Sequence, residues 1–431
     1  MRDCPRALFG VAQMWRSQRW PKVDGMTISS PRRVLIVGGG VAALETLLAL
    51  RALAGDTVSV TMVAPNERFC LRTALCREPS AEEPSAEEAP ASCDLRACAE
   101  QLGADFRRDT LHAVAGHQHR VRLASFATLD YDFLVLGLGA RAHSAVPGAL
   151  VFRDQRDAGH VWRILHELER EEIRRVVFAV PSGCAWPLPV FELALMTARH
   201  AERHAVPADT TVVSPSPEPL DLLGHEAARE VRHVLATHGV RFEGSSVPAA
   251  VRRDHALTLH FGGAIAADRV VTVPQLRGQR ITGLHGAWWG FVPVDRLGRV
   301  EGMDDVYAAG DMIAFPIKHG GLAAQQADLI AQAIAHRAGA RVPEPNPQVR
   351  VLHTQLRGAE RPIALRALLD DHGNPATGPG PERMPRGASQ AGFQSAPEGL
   401  SPHLAGNALG RFTTPFLQKV VSYSAERCLV Q

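Results

Sequence analysis

The chain has 431 residues, of which 45% are apolar and 21% charged, and its formal net charge is +2. This composition is typical of a globular protein of roughly three domains, and it excludes a wholly disordered or fibrous chain and a strongly basic nucleic-acid-binding protein. We find no run of about 18 apolar residues that could span a bilayer. The seven cysteines include no CxxC motif, which predicts a reducing, cytoplasmic location.

Residues 1–29 are predicted to form a disordered extension before the first strand. They contain basic residues and two tryptophans, Trp15 and Trp20, but they lack the continuous apolar stretch and small-residue cleavage site of a secretory signal. A membrane-touching arm and a start codon placed too early are the alternatives that the sequence leaves open.

Residues 33–65 have the pattern of a strand, a turn, a helix and a second strand. The turn reads G-x-G-x-x-A, in which Gly38 permits the tight turn and Gly40 allows a pyrophosphate to approach the backbone. Ala43 lets the helix pack closely on the strand, and the positive end of the helix faces the phosphates. This segment therefore predicts a dinucleotide-binding site.

The ribose contact of this site is atypical. The second strand of such a unit usually ends in an Asp or Glu that binds a ribose hydroxyl, but here the strand ends at Ala64. We therefore predict that Asn66 or Glu67 makes this contact, unless no side chain does.

Two stretches are poor structure formers. Residues 77–92 contain PSAEE twice, and residues 372–400 are rich in Gly, Pro and Ser. Both are predicted to be solvated insertions. The alternating apolar character of residues 350–368 and 404–423 indicates a small C-terminal unit around the second insertion.

Residues 174–217 have a second strand–turn–helix–strand pattern, and two further strands end in glycine turns. Residues 131–141, YDFLVLGLGAR, turn at Gly137 and Gly139, and residues 306–311 read VYAAGD. Units of the βαβ type imply parallel sheets, so this order of elements predicts an α/β fold.

The three glycine motifs, in this order and spacing, resemble those of the two-dinucleotide-domain flavoproteins of the pyridine nucleotide–disulfide oxidoreductase superfamily. The resemblance assigns to Asp311 the family's bond to the ribityl chain of FAD. Residues 310–326, GDMIAFPIKHGGLAAQQ, resemble the branch of type II NADH dehydrogenases and sulfide:quinone oxidoreductases. There a helix points its amino terminus at the flavin pyrimidine, where N–H groups and the helix dipole stabilise negative charge on the reduced ring.

The cofactor-binding residues predicted from these motifs and this resemblance extend from the pyrophosphate of FAD to its flavin ring. They are Gly38, Gly39, Gly40, Val41, Ala42, Ala43, Asn66, Glu67, Gly137, Gly139, Gly310, Asp311, Lys318, Gly320, Gly321 and Leu322. Lys318 and Gln325 are the candidate catalytic residues. A solvated position is the equal alternative for Lys318, and the stretch around Gln325 is similar to a quinone-side helix of the family branch.

The turn of the second βαβ unit departs from an NADH-binding pattern. Relatives that bind NADH have three glycines here, whereas this chain keeps Gly183, places Pro189 near the third position and inserts Trp186. Proline has no N–H to donate to a phosphate, and the next strand ends at Ser214 without an acidic residue. The sequence predicts a scaffold domain with weakened or lost nucleotide binding, and NAD(P)H binding by the altered loop stays open as the alternative.

We predict neither a redox disulfide nor a metal site. Cys70 and Cys76 are six positions apart, which on a helix places them about 120° out of phase. Cys184 lies two residues from the flavin-side cysteine of sulfide-oxidising relatives, and we interpret it as structural. His200 and His204 share a helical face, but the sequence identifies no third ligand, so solvated surface positions are predicted.

These observations predict two doubly wound Rossmann-like domains, the second inserted in the first, plus a small C-terminal unit. The predicted limits are 30–150 and 286–342 for the FAD-binding domain and 151–285 for the second domain. The C-terminal unit is predicted at 343–431, with a disordered loop near 372–400.

The predicted activity is that of an FAD-dependent oxidoreductase that passes electrons through flavin to a quinone or another small-molecule acceptor. A type II NAD(P)H dehydrogenase and a flavin-binding sensor or scaffold without turnover are the alternatives. Residues 411–423 have an amphipathic pattern. This pattern leaves open an acceptor-pocket wall, peripheral contact with the inner face of a membrane, or packing within the protein or a homodimer.

Overall fold

A computed structural model describes residues 30–70, 92–347, 350–359 and 362–375. Several predicted segments lie wholly or mostly outside these residues: the extension at 1–29, the insertion at 77–92, the loop near 372–400 and the amphipathic segment at 411–423. The described α-helices are α1 (Val41–Leu53), α2 (Leu95–Gln101), α3 (Ala158–Glu169), α4 (Leu188–His204), α5 (His225–Thr237) and α6 (Gly320–Arg337).

The strands in the described part of the chain form two parallel sheets and several small antiparallel ones. They are β1 (Arg32–Val37), β2 (Val58–Ala64), β3 (Arg68–Cys70), β4 (Ser92–Asp94), β5 (Asp105–Arg108), β6 (Leu111–Ala115), β7 (Arg120–Leu123), β8 (Thr128–Asp130), β9 (Phe133–Leu136), β10 (Arg141–His143), β11 (Leu150–Val151), β12 (Arg175–Ala179), β13 (Asp209–Val213), β14 (Arg241–Glu243), β15 (Pro248–Val251), β16 (Leu257–Leu259), β17 (Ala264–Ile265), β18 (Arg269–Thr272), β19 (Gln275–Arg277), β20 (Val306–Ala308), β21 (Arg350–Leu356) and β22 (Ile363–Leu369).

The first parallel sheet has the strand order β20-β9-β1-β2-β5. Its central strand β1 is apolar and buried from Val34 to Val37, as expected for a parallel strand that is covered on both faces. Helices α1 and α6 pack against each other beside this sheet. Because β1, β9 and β20 are neighbours, the turns that follow them meet at one edge.

The second parallel sheet has the order β11-β18-β12-β13-β14. Both predicted βαβ units are confirmed, as β1–α1–β2 and β12–α4–β13. The strands of the second sheet come from chain positions between β9 and β20, so the prediction of an α/β fold with one Rossmann-like unit inserted in the other is confirmed. The numerical domain limits stay a prediction.

A C-terminal hairpin packs on helices from both units. Strands β21 and β22 pair antiparallel over seven residues, and this pairing explains the alternating pattern of residues 350–368. The guanidinium of Arg199 in α4 donates to the carbonyls of Gly358 and Ala359, at 3.3 and 3.0 Å. Among the described residues, no helix is both long and apolar enough to cross a membrane.

Replacing Gly38 with alanine is expected to lower the free energy of unfolding by about 2–5 kcal/mol. An added Cβ would lie 2.2 Å from the carbonyl oxygen of Gly137, and Gly38 has a φ of 138°. Urea unfolding of the flavin-free protein measures the loss, with Gly159→Ala as the control because an added Cβ at Gly159 meets nothing within 4 Å. Equal stability of the two variants would contradict the expectation.

Candidate functional site

The turns after three adjacent strands come together at the carboxyl edge of the first sheet. Gly38 follows β1, Gly137 follows β9 and Gly310 follows β20. The backbones of Gly38 and Gly137 are in close contact, and an added Cβ on Gly310 would lie 3.2 Å from that of Ala42. The carboxyl edge of a doubly wound sheet is where such folds bind their ligands, so the three sequence motifs meet at one candidate site.

Gly40 leaves open the space that a pyrophosphate requires. It precedes α1 without any side-chain cap of the helix, and an added Cβ would meet nothing within 4 Å. Its neighbour Gly39 is different, because an added Cβ there would lie 2.7 Å from the Leu95 side chain. An open glycine at an uncapped helix amino terminus fits the phosphates of a dinucleotide, and Ala43, fully buried beside Gly137, keeps the helix close to the sheet.

The two predicted ribose-binding residues follow β2 at the same edge of the sheet. Asn66 and Glu67 are both exposed. The Glu67 carboxylate lies 3.6 Å from the guanidinium of Arg96. The backbone carbonyl of Glu67 accepts a 2.8 Å hydrogen bond from the N–H of Leu95. The side chain at position 67 remains accessible from solvent, and its ribose contact stays a prediction.

Lys318 is buried, so the solvated alternative for this residue is wrong. Its ammonium group donates to the carbonyl oxygen of Ile313 and lies 3.9 Å from the ring centroid of Phe291. Burial lowers the pKa of Lys318 to about 8, against the opposing effect of Asp311. The lysine is therefore largely charged at pH 7, in an electrostatic pair with the predicted ribityl-binding aspartate.

His319 caps the amino terminus of α6. Its Nδ1 atom accepts a 3.2 Å hydrogen bond from the N–H of Gly321, and its ring centroid lies 4.9 Å from that of Trp186. Burial lowers the pKa of His319 to about 4, so the imidazole is neutral at pH 7 and its remaining proton is on Nε2. At Gly320 an added Cβ would meet nothing within 4 Å, whereas Leu322 is buried. The first turn of α6 is therefore open on the side of Gly320.

Gln325 and Gln326, adjacent in α6, have their side chains in hydrogen bonds to backbone groups. Gln325 donates to the carbonyl of Val351 at 2.8 Å and accepts from its N–H at 2.9 Å, so the amide holds β21 on α6. Gln326 accepts from the N–H of Gly310 at 2.8 Å and so fixes the turn that carries Asp311. The catalytic role predicted for Gln325 stays a prediction beside this structural one.

The glycine turn of the second unit is filled by a tryptophan. Gly183 has a φ of 66°, and an added Cβ would lie 2.2 Å from Cη2 of Trp289. The following helix α4 begins after Pro187 and has a proline at its start. The space that is open at Gly40 is therefore occupied at Gly183. Sequence reasoning missed Trp289, for which the only signal was the aromatic pair in the stretch GAWWG at residues 286–290.

Two cysteine side chains in the described part of the chain are buried or partly buried. Burial raises the pKa of Cys184 to about 12, so this residue is a neutral thiol near pH 7. Cys98 is buried and is not part of a disulfide. Cys76 and the side chain of Cys70 lie outside the described part of the chain, and the absence of a redox disulfide stays a prediction for them.

Glu192 is a buried acid that the sequence analysis did not assign. It lies in α4, and its carboxylate accepts a 2.9 Å hydrogen bond from the backbone N–H of Arg357 after β21. Burial raises the pKa of Glu192 from 4.5 to about 7. Glu192 thus joins the second unit to the C-terminal hairpin. Because its pKa is raised, its effect on the free energy of unfolding depends on pH.

Replacing Glu192 with glutamine is expected to stabilise the protein at pH 8 and to have little effect at pH 5. A folded-state pKa raised from 4.5 to about 7 means that the folded state binds the proton more tightly. The destabilising contribution of Glu192 is therefore absent below pH 4.5, grows between pH 4.5 and 7, and reaches about 3 kcal/mol above pH 7. Urea unfolding from pH 5 to 8 measures it, and a constant difference between variant and wild type would contradict this expectation.

Comparisons with known proteins place this geometry in a family. The sequence profile described as pyridine nucleotide-disulphide oxidoreductase matches residues 32–336. The ferredoxin–NAD(+) reductase component of the biphenyl dioxygenase system of Paraburkholderia xenovorans is 28% identical over 390 residues, which cover 83% of this chain and 85% of the relative.

Solved structures show the same fold. The sulfide:quinone oxidoreductase of Aquifex aeolicus has a TM-score of 0.66 and 18% identity, and the match covers 78% of this chain and 87% of that one. The ferredoxin reductase for the CYP199A2 system of Rhodopseudomonas palustris has a TM-score of 0.57 and 16% identity, with 78% and 82% covered. Since the family profile covers most of the chain, this protein belongs to the pyridine nucleotide-disulphide oxidoreductase family of FAD-dependent enzymes.

Proposed function

We propose that this protein is an FAD-dependent oxidoreductase that passes electrons to a quinone or a similar small molecule and that reacts poorly with NAD(P)H as an electron donor. The contrast between the two glycine turns carries the proposal. Gly40 has open space beside it, whereas Gly183 lies against the indole of Trp289. The open space at Gly40 supports a dinucleotide at the first turn, and the indole beside Gly183 supports weakened nucleotide binding at the second.

The residues of the first unit would hold FAD along its length. Gly40 and the amino terminus of α1 would bind the pyrophosphate, and Asp311 would accept a hydrogen bond from the ribityl chain. The first turn of α6, open at Gly320, would present backbone N–H groups and its positive dipole end to the flavin pyrimidine. Bound FAD supplies the two-electron redox chemistry.

Three side chains of this chain set the electrostatics beside that position. Lys318 carries a positive charge at pH 7 because its pKa is about 8. His319 is neutral, with a pKa of about 4, and it contributes a dipole without a net charge. Trp186 packs on the imidazole, with the two ring centroids 4.9 Å apart. This arrangement favours added negative charge next to Lys318.

A quinone acceptor is supported by the resemblance of residues 310–326 to the quinone-reducing branch. The match of fold to a sulfide:quinone oxidoreductase agrees with it. Among the described residues, the cysteine near this region is the neutral thiol Cys184, so we do not extend the proposal to sulfide as the donor.

A second candidate function is electron exchange with a small iron–sulfur protein. The match to a ferredoxin–NAD(+) reductase component over most of both chains favours it. This candidate requires NADH to reach the flavin, and therefore requires the indole of Trp289 to leave Gly183.

The two candidates differ in which acceptor reoxidises the flavin. Anaerobic photoreduction gives the reduced holoprotein without any donor, after which a short-chain ubiquinone analogue or a ferredoxin is mixed in by stopped flow. Our proposal expects reoxidation by the quinone on a millisecond-to-second scale and slow reoxidation by ferredoxin. The reverse order would favour the second candidate, and failure of both acceptors would favour a flavin-binding sensor.

A further inference from the structure

A cluster of three histidines and one glutamate joins the ends of two helices in the second unit. Glu169 is the last residue of α3, and His200 and His204 lie one turn apart in the last part of α4. The Nε2 atom of His200 lies 2.7 Å from Oε1 of Glu169, and that of His204 lies 3.8 Å from the same oxygen. His166, one turn before Glu169, binds the other carboxylate oxygen at 3.1 Å.

The prediction that His200 is a solvated surface residue is wrong. Its side chain is only 7% exposed, while that of His204 is 49% exposed. The third group that the sequence could not identify is Glu169, 31 positions before His200. It comes from another helix, and the parallel order of β11, β18 and β12 places the ends of α3 and α4 at the same edge of the sheet.

The spacing of these atoms fits a metal ion. The three ligand atoms, one from each of Glu169, His200 and His204, lie within 4.8 Å of one another. In a tetrahedral zinc site with bonds of about 2.0–2.1 Å, neighbouring ligand atoms are roughly 3.3 Å apart. The observed separations of 2.7 and 3.8 Å bracket that value, and the two histidine nitrogens lie no more than 4.8 Å apart, so small side-chain rotations can bring the three atoms to tetrahedral spacing.

The helix ends at the cluster also fit a cation. The carboxyl ends of α3 and α4 add the negative ends of two helix dipoles. His166 would orient Glu169 as an outer hydrogen-bond partner.

We propose that Glu169, His200 and His204 bind one divalent transition-metal ion of the zinc class, with water in the fourth position. Two imidazoles and a carboxylate form a donor set that suits Zn²⁺ and is too rich in nitrogen for Mg²⁺ or Ca²⁺. The ion would take the place of the hydrogen bond between His200 and Glu169 and would join α3 to α4. This cluster is separate from the candidate FAD site. The start of α4 lies next to Trp186, which contacts His319, and the helix rises about 18 Å from Leu188 to His200.

Zinc binding to the tag-free holoprotein tests the site. Isothermal titration with ZnCl₂ is expected to give one ion per chain for the wild type, and Glu169→Gln and His204→Ala should each weaken the affinity at least about tenfold. His238→Ala is the matched control, because His238 also contacts a glutamate, Glu202, at 3.3 Å but lies outside the cluster. Flavin content of each variant shows that it is folded, and the visible spectrum of bound Co²⁺ reports tetrahedral coordination.

Zinc should also raise the thermal midpoint of the wild type and the His238→Ala control, and leave that of the Glu169→Gln/His204→Ala double variant unchanged. Equal zinc affinity of the wild type and the double variant would overturn the proposal, whether both bind or neither does. A loss of binding in His238→Ala as large as in His204→Ala would overturn it as well, since zinc would then bind histidines without preference for the cluster.

Discussion

An Asp311→Ala variant is expected to purify with little flavin. Asp311 lies in the turn after β20, where Gln326 binds the N–H of the preceding residue, Gly310, so the carboxylate is held at the edge of the sheet. A hydrogen bond between a carboxylate and a ribityl hydroxyl contributes about 1.5–3 kcal/mol, which corresponds to roughly 10- to 150-fold in FAD affinity. Flavin absorbance per protein chain, and FAD titration of the apoprotein, measure the loss.

Two further variants test whether the loss of flavin comes from the hydrogen bond between Asp311 and the ribityl chain. Asp311→Asn keeps the shape and an acceptor oxygen, so it should lose less affinity than Asp311→Ala. Asp304→Ala removes an exposed carboxylate just before β20 and should retain full flavin. An Asp311→Ala protein that is as yellow as the Asp304→Ala control would refute the assignment of Asp311.

NADH and NADPH are expected to reduce the flavin poorly. The indole of Trp289 occupies the space beside Gly183, and Pro189 has no N–H for a phosphate. Loss of a micromolar pyridine-nucleotide site would move the apparent Kd to the millimolar range, about 1,000-fold or 4 kcal/mol. Anaerobic stopped flow should therefore show a flavin reduction rate that rises linearly with NADH concentration and does not saturate below 1 mM.

The Trp289→Ala variant tests whether the indole of Trp289 is the cause of slow flavin reduction by NADH. Removing the indole opens the space beside Gly183, so reduction by NADH should become faster than in the wild type, although the prolines of the loop remain. Phe261→Ala is the control, because Phe261 is 89% exposed and its loss should change nothing. Saturation of the wild-type rate at micromolar NADH would show that the second turn still binds the nucleotide.

The amino-acid sequence by itself determined the elements and the order of the glycine motifs. The strand and helix patterns around Gly38 and Gly183 are local, and each was confirmed as a βαβ unit. The alternation in residues 350–368 indicated a C-terminal unit, and in the structure these residues form β21 and most of β22. Such features depend on side-chain periodicity and on the backbone freedom of glycine over a few residues, so they can be predicted without knowledge of the tertiary fold.

Only the tertiary structure decided which distant groups meet. Trp289 fills the turn at Gly183, Glu169 completes the pair formed by His200 and His204, and Lys318 is withdrawn from solvent beside Phe291. Each contact joins residues from different elements, and no short-range pattern encodes it. Whether these side chains are solvated, paired or buried depends on how the two sheets and the helices around them pack. The packing determines which atoms surround each side chain, and these atoms set its burial and its electrostatic interactions.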